Sequence, residues 1–196
     1  MYGYNNNCIF VYEAGFNSCT VPRRARSRKG KKAHVLTKIK RAKNISIIGA
    51  ISHTRLESLQ AVVVIDKRTD DRFIFGEFVA QLLKWLDEQY GLPMIVIMDN
   101  AKFHKSENVA EIFENSQHKA HFLPPFSPMF NPIESCFSEL KNQVKRIPRK
   151  GKDVMLNLII KGAGDTITTQ DCNGWSRHCI ENINKCMRGE NLTFDN

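Results

Sequence analysis

The sequence predicts an α/β layered domain. Short apolar runs rich in Ile, Val, Phe and Tyr come first, and strand-like and helix-like stretches alternate after them. The stretch from Phe75 to Leu86 carries an apolar stripe at clean helical spacing. Alternation of this kind implies a sheet covered by helices, and 196 residues suffice to bury one such core.

Taken in order, Cys8 to Tyr12 reads as a buried strand, Cys-Ile-Phe-Val-Tyr. A basic segment follows from Pro22 to Lys43, with eleven Lys or Arg and no acid, and reads as a loop or extended arm. Asn44 to Ser52 and Leu59 to Ile65 are two more strands around the polar turn His53-Thr54-Arg55, so the first three strands suggest an antiparallel meander. Phe75, Phe78, Val79, Leu82, Leu83 and Leu86 line the core face of a helix between Asp70-Asp71 and Gly91. Pro93 leads into the apolar run Met94 to Met98, which ends on Asp99. Ser106 is placed to cap a short helix carrying Val109, Ile112 and Phe113, and Ala120 to Leu123 makes a short strand. Asn131 caps the next helix, with Pro132 in its first turn and Ile133, Phe137, Leu140 and Val144 on one face. Its other face carries Lys141, Lys145 and Arg146. Val154 to Ile160 and Trp175 to Met187 are expected to close the fold as helices, and the tail after Gly189 to fray.

Composition narrows the function. Lys and Arg number 29 against 20 Asp and Glu, a formal charge of +9 with pI ≈ 9.3. That balance favours a polyanionic partner, nucleic acid before membrane. No apolar run approaches the roughly 20 residues of a membrane span, and Met1 to Asn7 lacks the features of a signal peptide. The six Cys are scattered and read as reduced thiols of an intracellular protein. Cys172, Cys179 and Cys186 share a helix face two turns apart, too far for one zinc ion, and read as small buried apolar residues.

Two carboxylates stand out. Asp99 ends a buried strand and Glu134 lies in the first turn of a helix, with 34 residues between them. Carboxylates placed this way can hold Mg²⁺ with positions left open for phosphate. Each also has a plainer reading, Asp99 as a turn former and Glu134 as a helix-start residue. The loop between them, Leu123-Pro124-Pro125-Phe126-Ser127-Pro128, is stiffened by its prolines. The basic run admits a solvated loop, contact with DNA phosphates, or a nuclear localisation signal.

The ordered set Asp99-Asn100-Ala101-Lys102-Phe103-His104, Leu123 to Pro128 and Asn131-Pro132-Ile133-Glu134 resembles the catalytic core of the mariner-type DDE transposases. The likeness spans nearly the whole chain, and Glu13 to Phe16 and Asn44 to Ser52 resemble the first two core strands. It implies one catalytic domain over 1–190 with a ribonuclease-H-like fold, a mixed five-stranded sheet flanked by helices. The basic stretch 22–43 would be an insertion loop, and no helix-turn-helix domain is expected ahead of the first strand. The implied chemistry is cleavage and strand transfer at transposon ends and target DNA, using Mg²⁺ or Mn²⁺ held by Asp99 and Glu134. A homodimer is an implied candidate assembly, with no membrane or small-molecule substrate, and a eukaryotic source would place the chain in the nucleus. His104 is expected to orient phosphate or water, or to be a plain loop histidine. Arg23, Arg24, Arg26, Arg28, Lys29, Lys31, Lys32, Lys141 and Lys145 are expected to meet DNA. The family pattern has an Asp as first ligand where this chain has Tyr12. Glu13, next to it, would face away unless the strand slips or bulges. Catalysis is therefore expected to be impaired, with an inactive remnant that only binds DNA or other subunits as the alternative.

Overall fold

The computed structural model describes residues 7–17, 26–32, 44–63, 71–146 and 160–192. Five strands form one mixed sheet in the order β3-β2-β1-β4-β5. β1 (Cys8–Asn17), β2 (Asn44–Ile51) and β3 (Leu56–Val63) are the expected antiparallel meander. β4 (Ile95–Met98) and β5 (Lys119–Phe122) then add on parallel to β1. β1 runs five residues beyond the predicted end, because Glu13 to Asn17 pair continuously with Ile48 to Asn44. The turn after β2 falls where the polar residues put it: the Ser52 hydroxyl accepts from the backbone N–H groups of Thr54 and Arg55, at 3.2 and 3.1 Å. This local closure starts β3 at Leu56 rather than at Leu59.

Helices cover both faces. α1 (Asp71–Tyr90) and α2 (Glu107–Glu114) lie on one, where Phe75, Phe78, Val79, Leu82, Leu83 and Leu86 pack against Ile9, Val11, Ile48, Val96 and Met98. Gly91 ends α1 with φ +61, a backbone state that suits glycine, and its N–H bonds back to the Asp87 carbonyl. Ser106 stands at the head of α2 as expected, but its hydroxyl makes no capping bond. The other face carries α3 (Pro132–Arg146) and α4 (Thr169–Met187) over Phe10, Ile47, Ile51 and Ile97. Fully buried side chains such as Phe10, Phe75 and Phe137 each contribute roughly 1.5–3 kcal/mol of hydrophobic stabilisation.

α4 starts six residues before the predicted Trp175. Thr168 and Asp171 form a reciprocal capping box, which sustains a first turn poor in apolar residues. Of the helix expected over Val154 to Ile160, only residue 160 is described, and there the chain is helical through 160–164. Cys172 and Cys179 are buried as expected, whereas Cys186 is exposed: it lies in the last turn of α4, beyond the end of the core. Burial pushes the Cys136 thiol up to about 12 and Cys172 up to about 11, so neither is a ready nucleophile. No disulfide joins the described cysteines. Among the described residues, no helix is long and apolar enough to cross a membrane.

Candidate active site

Three elements deliver the site. β1 and β4 are parallel neighbours, with Cys8 opposite Ile95 and Phe10 opposite Ile97. Extending that register puts Tyr12, midway along β1, level with Asp99 just past the carboxyl end of β4, the edge where open α/β sheets place their ligands. Side chains alternate along a strand. Phe10 and Ile97 face α3, so Tyr12 and Asp99 do too. α3 then lies across β1 and β2, and Asn131 caps it, its Oδ1 accepting the Ile133 N–H at 3.3 Å. Glu134 follows in the first turn. The helix comes close because Gly49, paired with Tyr12, has no side chain: a Cβ there would stand 3.1 Å from the Phe137 ring.

Tyr12, Asp99 and Glu134 border one cleft of about 500 Å³, with Asn100, Asn131 and the Pro124 to Pro128 loop completing its wall. The two expected acids therefore do meet. The Tyr12 phenol donates a hydrogen bond to the Glu134 carboxylate. Burial raises the phenol, and the negative charges of Glu134 and Asp99 raise it further, so Tyr12 stays neutral. Burial also lifts Glu134 above the ordinary glutamate range. The Tyr12 hydrogen bond and Lys141 oppose that lift, and the Asp99 charge adds to it. At Asp99 burial likewise pushes upward, but the hydrogen bonds from His104 and the Ala101 N–H outweigh it, and the carboxyl ends below its usual range. One acid is thus held ionised while its neighbour holds a proton more readily.

His104 requires a correction. It was expected either to orient phosphate or water or to be a plain loop histidine, and it is 1% exposed, which leaves it no direct contact with solvent. Its ring stacks on Phe75, with centroids 4.1 Å apart, and its Nδ1 lies 2.6 Å from Asp99 Oδ1. It steadies the Asp99 carboxylate from behind and is buried away from the surface. Phe75, on α1, decides this together with the adjacent Phe103, whose ring centroid lies 4.2 Å from that of His104; the local run shows Phe103 but not Phe75. Glu13 lies on the sheet face opposite the cleft, since β1 pairs with β2 through this stretch without a bulge. Arg26, Arg28, Lys29, Lys31 and Lys32 are exposed. Arg23 and Arg24 lie outside the described residues, as does the side chain of Lys145. Lys141 is half-buried and acts on Glu134.

The donor set fits a hard cation. Asp99 and Glu134 offer carboxylate oxygens, the ligands Mg²⁺ and Mn²⁺ prefer, beside an open cleft. A pair of ions about 3.5–4 Å apart needs more negative charge than two carboxylates bring. No cluster of three metal-ligating side chains occurs among the described residues. Phe126 was not expected as a site residue. It stands 97% exposed on the cleft rim with φ +58, a backbone state that no sequence pattern announces.

Comparison with known proteins bears on the family and the fold. Residues 7–154 match the family model described as DDE superfamily endonuclease. No curated protein sequence matches. Among solved structures, the Mos1 transposase paired-end complex with left transposon end has a TM-score of 0.81 at 12% identity, covering 99% of this chain and 58% of that one. The Mos1 mariner paired end complex with Mn has a TM-score of 0.78 at 13% identity, with coverages of 96% and 57%. The catalytic domain of Mos1 mariner transposase has a TM-score of 0.71 at 10% identity, with coverages of 96% and 84%. The fold is therefore ribonuclease-H-like, and the chain spans under three fifths of the length of the transposases in the first two complexes.

Proposed function

The chain belongs to the DDE superfamily endonucleases, and from that premise we propose that its cleft is the metal site of a transposase-type domain for DNA strand cleavage and strand transfer, impaired at Tyr12. One observation supports this above the rest: Asp99 and Glu134, 34 residues apart in sequence, border the same cleft with Tyr12 between the strand end and the helix. In this reading Asp99 and Glu134 hold Mg²⁺ or Mn²⁺, which would polarise a DNA phosphodiester and sharpen the attacking oxygen. His104 and the Ala101 N–H keep Asp99 aimed and ionised, ready for a cation. Glu134 spends its hydrogen-bonding capacity on a neutral phenol, and that phenol brings no charge to share between two ions. DNA, as transposon ends and target, is the partner this chemistry requires.

The same Tyr12–Glu134 hydrogen bond favours a second reading, a module that binds DNA or sister subunits and performs no chemistry. Nicking of supercoiled plasmid DNA with Mg²⁺ or Mn²⁺ separates the two. We expect Tyr12→Asp to nick faster than the unsubstituted chain by on the order of 100-fold or more, the usual cost of removing one charge-stabilising group. Mn²⁺ should also raise its melting temperature, since a ligand that binds only the folded state stabilises it. Residual nicking by the unsubstituted chain, abolished by Asp99→Asn, supports impairment. None at all supports the binding module. If Tyr12→Asp gains neither nicking nor Mn²⁺ stabilisation, the metal-site reading fails.

A further inference from the structure

Phe126 combines two features that a folded chain ordinarily avoids. Its ring is 97% exposed, the most of any large hydrophobic residue described, and its backbone is the one described non-glycine position with positive φ, at +58. A positive φ in a turn is normally left to glycine, because a Cβ crowds the backbone there. Single exposed hydrophobics are common and need no account. An exposed aromatic held in a strained turn is a different matter, since strain of this kind collects at working sites.

The surroundings hold the ring in place. Pro124 and Pro125 precede it, and Ser127-Pro128 follows. The Ser127 hydroxyl donates to the Pro125 carbonyl at 3.3 Å, and the N–H groups of Phe130 and Asn131 bond to the Ser127 and Pro128 carbonyls. The turn is thus stiff before anything binds, which lowers the entropic cost of using it. The ring stands on the rim of the cleft that contains Asp99 and Glu134. Ala101 of the cleft wall is followed by Lys102 and Lys105, both exposed, with Lys105 Nζ 5.0 Å from the Phe122 ring. A flat apolar face held at the rim of a cleft lined by two carboxylates that suit a phosphate-binding cation fits a nucleobase of the strand that carries the phosphate.

We propose that Phe126 is a stacking platform for one unpaired nucleobase of the DNA strand entering the cleft. The inference rests on the reading of the cleft as a DNA site, and adds to it that the strand is held with a base swung out of its stack. Such a base would anchor the strand and set which phosphate lies against Asp99 and Glu134.

The test compares the whole chain with Phe126→Gly and Phe126→Trp. Binding is read by fluorescence anisotropy on a fully paired duplex and on the same duplex with one unpaired adenine. Phe126→Gly removes the ring and relieves the strained φ, so its melting temperature should stay level or rise. Its affinity for the unpaired-base DNA should fall roughly five- to 100-fold, the range expected for one lost base–aromatic stack. Its affinity for the paired duplex should change little. Phe126→Trp should restore the lost affinity and show tryptophan quenching by the unpaired-base DNA beyond that of the unsubstituted chain. Unchanged affinity of Phe126→Gly for the unpaired-base DNA, or no added quenching in Phe126→Trp, overturns the stacking role and leaves the DNA site standing. A lower melting temperature in Phe126→Gly would assign the ring to stability instead. If the unsubstituted chain binds neither DNA, the DNA reading falls, and this inference with it.

Discussion

At the scale of single residues, Asp99 and Glu134 pull in opposite directions with pH. Burial raises Glu134, so in a window just above its ordinary value of 4.5 the folded chain keeps a proton that the unfolded chain has released. Folding is favoured by that protonation, and the contribution is lost as pH rises through the window. Asp99 is lowered, so its contribution is present above the ordinary aspartate value of 3.8 and is lost as pH falls. Glu134→Gln should therefore be more stable than the unsubstituted chain at pH 7, because a neutral amide of the same shape can still accept from Tyr12. Below pH 4.5 the difference should close, as Glu134 is then neutral too. Urea midpoints at the two pH values measure this. A less stable Glu134→Gln at pH 7 would mean that Tyr12 and Lys141 favour the carboxylate more than burial disfavours it. His104 belongs to the same account: its hydrogen bond holds Asp99 below the usual aspartate range while burial raises Glu134.

Between elements, the site depends on how closely α3 approaches β2. Gly49 is the contact point: a Cβ added there would meet Phe137 ring atoms at 3.1 Å and Ile133 Cδ1 at 3.4 Å. Both side chains are fully buried and cannot swing aside. Gly49→Ala should cost about 1–3 kcal/mol by overpacking, measured by urea denaturation. It should also shift α3 and loosen the hydrogen bond from Tyr12 to Glu134, visible as a lowered Tyr12 titration. An unchanged stability would show that the helix has slack. The strands themselves were readable in the sequence, because Ile, Val and Phe cluster where both sheet faces are covered. Asp99 and Glu134 were readable because each sits at an element end marked by punctuation, an apolar run before one and Asn-Pro before the other. The start of α4 was not, since its cap relies on Asp171 and its first turns are polar. Nor was the position of His104, which is set by contacts with Phe75 on another element. Phe126 hid for a third reason: φ is a property of the folded loop, and the flanking prolines only make it stiff.

For the molecule as a whole, charge decides how it meets DNA. The net charge of +9 is spread unevenly, and Arg26, Arg28, Lys29, Lys31 and Lys32 are crowded and exposed in the segment between β1 and β2. Each Lys or Arg that neutralises a phosphate on duplex DNA releases counterions and adds about 0.9 to the slope of log affinity against log salt. A solvated loop that touches nothing adds none. Replacing those five residues by Ala should therefore flatten the slope by up to about 4.5, a loss spread evenly over DNA sequences because phosphates carry no sequence information. Titrations at salt concentrations between about 50 and 200 mM would show it, where such contacts change affinity most visibly. A slope unchanged by the five substitutions would assign the segment to plain solvation and move the DNA-facing charge elsewhere. The cleft would then have to draw DNA in through other lysines, such as Lys141, whose charge acts on Glu134. The two cases differ in one more respect: with the basic segment engaged, affinity and cleft chemistry separate, and Tyr12→Asp should change nicking while leaving the salt slope where it was.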